Sequence, residues 1–307
     1  TLADTAVALA DTLGYRPLVA RAYLARGRVA LERRSGDVGA ADFDAALGAA
    51  LPAGEFALAI EAYARRAYAR AKTVGATGAT EGLTTILGLV TWQGDRAPFA
   101  SALLYNNLGV VARIAGSRAT ARWAFARAVD LARGSAGPGA VELIYARTNL
   151  MKLHPDLVAR RRLGAEALTI LTDRVGALHP RTLELALNVA LAEDDPALAH
   201  QRYAAVVGTF ARVHPELGGL LADFADDFAW MAMLADDRAA VAATADAVIA
   251  SGADGADLAR AQAYRRWAAG DVAGAARAFA AVGEGAAAED WYACLLYTSP
   301  SPRDRTR

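Results

Sequence analysis

Lysine is almost missing from this chain: of its 33 basic residues only Lys72 and Lys152 are lysines, and the others are arginines. That bias reads as GC-rich coding and carries no structural content. Cysteine occurs once, as Cys294, which excludes an internal disulfide framework. Net charge is lacking too, since 33 basic residues balance 33 acidic ones. No global positive field therefore exists to hold nucleic acid or an anionic bilayer. No apolar run approaches the roughly 20 residues of a membrane-spanning helix, and no charged-then-apolar signal peptide opens the chain. Runs of β-branched residues are few, which favours helix over strand.

Motifs that carry chemistry are equally scarce. The glycine-rich stretch Gly75 to Gly82 follows no strand and lacks the G-x4-G-K-[ST] order of a phosphate loop, so it reads as a turn. Four histidines, His154, His179, His200 and His214, match no zinc spacing; three precede proline, which suits a helix cap or a surface position. Asp223, Asp226 and Asp227 could be paired as acid and base or as metal ligands. Without a partner histidine or third ligand they read as a solvated helix face. Arg160 to Arg162 could attract an anion, and a solvated helix start explains them as well. No serine stands in a nucleophile motif. The expectation is a segment with no catalytic residue, no cofactor and no metal.

What is present is alanine, with glycine at the junctions and 55% hydrophobic residues overall. At 307 residues the chain is long for one compact core, and an array of small units escapes that limit. Apolar periodicity predicts helices over Leu2–Leu13, Ala20–Arg33, Val38–Leu51, Ala57–Thr73, Thr80–Thr91, Phe99–Ala115, Arg118–Ala132, Val141–Leu153, Leu157–Val175, Thr182–Ala192, Pro196–Val213, Glu216–Leu234, Arg238–Ala250, Leu258–Ala269 and Val272–Val282. Asp37, Asp195, Asp237 and Asp271 stand before second helices, where a carboxylate caps free N–H groups. Trp92, Trp123, Trp230 and Trp267 fall in apolar helix faces and are expected in the core.

The stretch Tyr105 to Ala128 is the most explicit. Gly109 and Ala121 lack bulk, so two helices can approach closely while Tyr105, Leu108 and Phe125 fill the space around them. Gly116 ends the first helix with a residue that accepts a positive φ. Gly270, Ala275 and Phe279 repeat the spacing of Gly116, Ala121 and Phe125. The first pair matches less well, because Gly27 to Gly36 is two residues longer than Gly109 to Gly116. His179-Pro180 and His214-Pro215 lie 35 residues apart, another echo of a repeat.

This unit resembles a tetratricopeptide repeat (TPR), W/Y-x2-L-G-x2-Y/A followed by G and A-x3-F-x2-A, with Ala112 where a tyrosine is common. Its longer period is similar to that of kinesin light chains. The resemblance implies an all-α fold, a right-handed α-solenoid of stacked helix hairpins over residues 1–293, beginning inside a repeat. It also implies that Leu103, Asn106, Asn107, Val110, Arg113 and Ile114 face a concave groove. Asn107, Asn149 and Asn188 then form a ladder of amides that either bind an extended peptide or bond neighbouring helices, with Arg113 and Arg147 attracting carboxylates. Leu13 to Leu18 (LGYRPL) together with Asn106 to Gly109 (NNLG) resembles the C-terminal TPR regions of bacterial, myxobacterial-type serine/threonine protein kinases. No kinase signature occurs in the segment itself. The implied function is a scaffold for a protein or peptide partner within a larger bacterial signalling protein, cytoplasmic by expectation. A kinase's regulatory part or a TPR-bearing transcriptional regulator are the alternatives. The last residues, 294–307, abandon the helical style, and Cys294 to Asp304 matches the in-frame translation of a sequencing-library adapter; a non-native, disordered tail is expected there.

Overall fold

A computed structural model describes residues 2–32, 36–133, 140–193, 195–214, 225–250, 252–253 and 255–282. Asp223 and the tail 294–307 lie outside the described residues. Those residues are all-helical, and no strand occurs among them. The helices are α1 (Leu2–Leu13), α2 (Arg16–Glu32), α3 (Gly36–Ala50), α4 (Phe56–Thr73), α5 (Leu83–Gln93), α6 (Pro98–Ile114), α7 (Arg118–Ala132), α8 (Ala140–Leu153) and α9 (Leu157–Val175). They continue with α10 (Pro180–Ala190), α11 (Pro196–Val213), α12 (Ala225–Leu234), α13 (Arg238–Ala250), α14 (Gly255–Ala268) and α15 (Val272–Val282). A single 3-10 turn, Gly94–Arg96, separates α5 from α6. Two compact units result, Thr1–Ile170 and Leu171–Arg307, with the boundary inside α9.

In the first unit the helices pack in chain order: α1 on α2, α2 on α3, α3 on α4, α6 on α7 and α7 on α8. Alternate helices also touch, α4 lying along α6 and α6 against α8. The driving force is burial of small and large apolar side chains in a run of linked clusters, from Phe43 and Ala46 to Tyr63, Leu103 and Leu104. Close approach is set by two glycines. A Cβ on Gly109 would stand 2.6 Å from the Phe125 ring, and one on Gly27 would stand 2.7 Å from Phe43. Each phenylalanine is fully buried on its glycine.

The second pairing narrows the looser match expected for the first hairpin to its turn. Tyr23, Gly27, Gly39, Phe43 and Ala46 precede Tyr105, Gly109, Ala121, Phe125 and Ala128 by one constant interval of 82 residues. Gly39 is therefore the counterpart of Ala121, so the hairpin α2–α3 keeps the helix-pairing register of α6–α7, whereas the counterpart of Gly116 is Arg34 and Gly36 falls two residues later. Polar ties reinforce α2–α3–α4. Arg26 donates twice to Asp42, at 2.9 and 2.6 Å, and Arg66 and Arg70 both donate to Asp44.

In the second unit α10 packs on α11, α11 on α12, α12 on α13, α13 on α14 and α14 on α15. Ala263, Trp267, Ala275 and Phe279 share one core, and Tyr264 meets Phe279 edge-on at 4.9 Å. Gly116 and Gly270 end α6 and α14 at φ +77 and +90, which confirms the stop signal at both. Asp195 caps α11 through Ala197 N–H, Asp237 caps α13 through Ala240 N–H and Asp271 caps α15 through Gly274 N–H. Asp37 instead lies in the first turn of α3. His179 caps α10, its Nδ1 accepting from Arg181 N–H at 3.2 Å.

Candidate functional site

The asparagines of α6 lead into the polar seam of the first unit. Asn106 and Asn107 follow one another, so they point to adjacent sectors of the helix and reach two different neighbours. Asn107 Nδ2 donates to the Ala64 carbonyl on α4 at 2.9 Å. Asn106 Nδ2 donates to Asn107 Oδ1 at 3.1 Å, and Asn149 Nδ2 on α8 donates to Asn106 Oδ1 at 3.1 Å. One directed chain of amide hydrogen bonds thus crosses α8, α6 and α4. Of the two roles open to the ladder, bonding between neighbouring helices is what this geometry performs for Asn106 and Asn107, which are 7% and 6% exposed.

Leu103 and Val110 are buried as well, Leu103 within the core that α6 shares with α4. Asn188 lies in the second unit and donates to the Glu184 carbonyl of its own helix at 3.0 Å. What stays accessible is the end of the chain and its surroundings. Asn149 is half-buried, and its Oδ1 accepts no hydrogen bond among the described residues. Donation through Nδ2 raises electron density on that oxygen, so the chain ends in a polarised acceptor. Arg113 is exposed two turns beyond Asn106 on the same face of α6, with Ile114 beside it.

Arg147 is a different case. It is half-buried, and its Nε is enclosed without a hydrogen-bond partner. Burial pushes its guanidinium below the usual arginine range; Glu166 opposes that and Arg133 adds to it. A carboxylate meeting Arg147 would relieve an existing electrostatic penalty.

Two of the four tryptophans expected in the core correct that expectation. Trp267 is buried and Trp230 half-buried, whereas Trp92 is 58% and Trp123 61% exposed. Trp92 meets Phe56 edge-on and carries the Arg96 guanidinium over its ring at 4.7 Å. Trp123 is braced by Tyr105 in a T-shaped contact, ring centroids 5.6 Å apart, and no cation covers it among the described residues. Periodicity failed there because α7 has only one buried stripe, Ala121, Ala124, Phe125, Ala128, Val129 and Ala132, and Trp123 lies outside it. The charge pattern was the missed signal: residues 98–133 carry five arginines and one acid, Asp130.

Polar groups also gather in the second unit. His200 Nε2 lies 3.2 Å from Asp237 Oδ2, and its ring meets Phe228 at 5.2 Å. Burial pushes the Asp226 carboxyl above the usual carboxylate range against the pull of Arg260, 3.5 Å away. Tyr264, which donates to the Asp226 carbonyl, is raised well above its ordinary value by burial. No group of three or more metal-ligating side chains occurs among the described residues. No helix among them is long and apolar enough to cross a membrane. Compared with known proteins, the chain matches no family model and no curated sequence.

Proposed function

We propose that the chain is a non-catalytic scaffold of the TPR type, a right-handed α-solenoid that holds an extended peptide or protein segment on the first-helix side of its hairpins. The observation that carries this reading is the amide chain across α8, α6 and α4, which ends in a half-exposed acceptor with an unpaired arginine nearby. Asn149 Oδ1 would accept from a peptide backbone N–H, and Arg113 would hold a carboxylate by charge-assisted hydrogen bonds. Asn106, Asn107 and Val110 act behind them as the support that fixes their positions. The guanidinium of Arg147 remains a candidate for a further polar contact with the partner.

Peptides selected on the intact chain from a random display library provide the test. Arg113→Glu is expected to weaken the selected peptides by at least about tenfold with an unchanged melting curve. Equal binding to the parent and the variant removes the reading. Placement in a bacterial signalling protein, as a kinase's regulatory part or a transcriptional regulator's sensor, rests on Leu13 to Leu18 and Asn106 to Gly109 alone. Sequencing the DNA upstream of the Thr1 codon tests it: neither a kinase nor a DNA-binding domain in frame there would end that part of the proposal.

A further inference from the structure

The chain is neutral only as a whole. The first compact unit, residues 1–170, carries 21 basic and 14 acidic side chains, while residues 171–307 carry 12 and 19. Within the first unit the excess concentrates on the hairpin α6–α7, and on α7 it lies where solvent reaches it. Arg118, Arg122, Arg127 and Arg133 are all exposed. Arg133 stands 3.7 Å from Asp130, the single acid of the hairpin. The side chains of Arg118, Arg122 and Arg127 make no hydrogen bond and no ion pair among the described residues.

Trp123 lies among them. Arg122 is its chain neighbour, and Arg127 stands one helical turn further along the same outward side. The indole meets Tyr105 in a T-shaped contact and stays 61% exposed, so an apolar surface is already fixed in place before any partner arrives. Trp92 shows what this chain does with an exposed indole that has no such use: Arg96 covers it and donates to the Trp92 and Gln93 carbonyls. On α7 the arginines beside Trp123 leave it bare.

We infer that the outward face of α7, away from α6 and α8, docks an acidic segment of a partner protein that presents an aromatic or aliphatic side chain to Trp123. Arginine and tryptophan are the residues that most often dominate an interface, and unpaired guanidinium groups around an apolar anchor match carboxylates around an apolar side chain. A long nucleic acid is the poorer occupant. The chain as a whole carries no net charge to hold an extended polyanion, whereas a short segment senses only the charges within the roughly 8 Å over which they act at physiological salt. This surface is separate from the Asn149 and Arg113 face and does not depend on it.

The experiment uses the full chain and fluorescence anisotropy, with three probes: an acidic peptide bearing one central phenylalanine, a neutral peptide with the same phenylalanine, and a single-stranded oligothymidine of matched charge. The acidic peptide is expected to bind more tightly than either of the others and to weaken as salt rises. The double charge reversal Arg122→Glu and Arg127→Glu is expected to cost more than about tenfold, and Trp123→Ala about tenfold. Arg113→Glu is expected to leave this probe unaffected, which separates the inference from the groove. All of these side chains are exposed, so unchanged melting curves are expected to accompany the losses. The inference is overturned if the acidic peptide does not bind, if the reversed variant binds it equally, or if oligothymidine binds more tightly. It is overturned as well if the α7 variants abolish salt-sensitive self-association instead, because the occupant is then a second copy.

Discussion

The hairpins α6–α7 and α4–α5 are neighbours in the first unit and are built in opposite ways. In α6–α7 the second helix seats Phe125 directly on Gly109, and six of its residues are buried. In α4–α5 only Ile86 of the second helix is buried, and α4 packs more extensively along α6 than on its own partner. The cause lies in the seat. Forty-one residues before Gly109 and Phe125 stand Tyr68, half-buried, and Thr84, exposed. A tyrosine where the backbone must approach, and a threonine where a ring must insert, keep α5 at the margin. Identical connectivity therefore does not give identical cohesion; one small residue facing one large one decides it.

The largest effect is expected at that seat. Phe125→Ala should cost about 3–5 kcal/mol of unfolding free energy, since it leaves a ring-sized void in a closed core. Gly109→Ala alone should cost about 1–3 kcal/mol, because its methyl group would press into the Phe125 ring. Combining Gly109→Ala with Phe125→Leu should cost less than the two singly, a coupling that chemical denaturation of the four proteins measures. Additive losses would show that the glycine and the ring do not act as a pair.

A second, smaller contrast concerns opening. Amides of α5 are expected to exchange with deuterium well before those of α6, because one residue of α5 is buried and ten of α6 are. Equal protection of the two helices would mean that the margin position of α5 costs it nothing.

The smallest effect extends the comparison to the second unit, where a carboxylate rather than a ring is enclosed. The pKa of Asp226 is raised in the folded chain, so its neutral form is favoured: that stability is fully present below the unfolded carboxylate pKa and is lost as pH rises through the folded one. Asp226→Asn should therefore raise the melting temperature at pH 7 and leave it unchanged at about pH 3. A lower melting temperature at pH 7 would show that attraction to Arg260 outweighs burial.

Much of the fold was legible because its signals are local. Helices α1, α7, α9, α11, α13 and α15 coincide with the segments expected from apolar spacing, Gly116 and Gly270 stop helices as their type predicts, and Asp195, Asp237 and Asp271 cap them. The equivalence of Gly27 and Phe43 was legible as well, at a constant 82-residue interval, but was obscured by comparing only the spacing of Gly27 to Gly36 with that of Gly109 to Gly116. The site was less legible. Nothing local distinguishes an asparagine that faces a groove from one that bonds the next helix; Asn107 is decided by a carbonyl 43 residues away. Trp123 and Trp92 both lie on largely apolar helices, and only the position of the buried stripe separates an exposed indole from a core one.

The amide chain through Asn149, Asn106 and Asn107 also limits how the chain can vary. One residue inserted into α6 ahead of Asn106 would turn both asparagines by about 100° relative to the helix entering the seam, leaving polar groups of α4 and α8 without partners in an apolar interior. Length changes are thus tolerated only outside the helices, and in the turn from Gly75 to Gly82 only ahead of Ala79, which is fully buried, and of Glu81, whose carbonyl accepts from Arg66 at 2.6 Å. Growth of such a molecule by duplication has to proceed in whole hairpins.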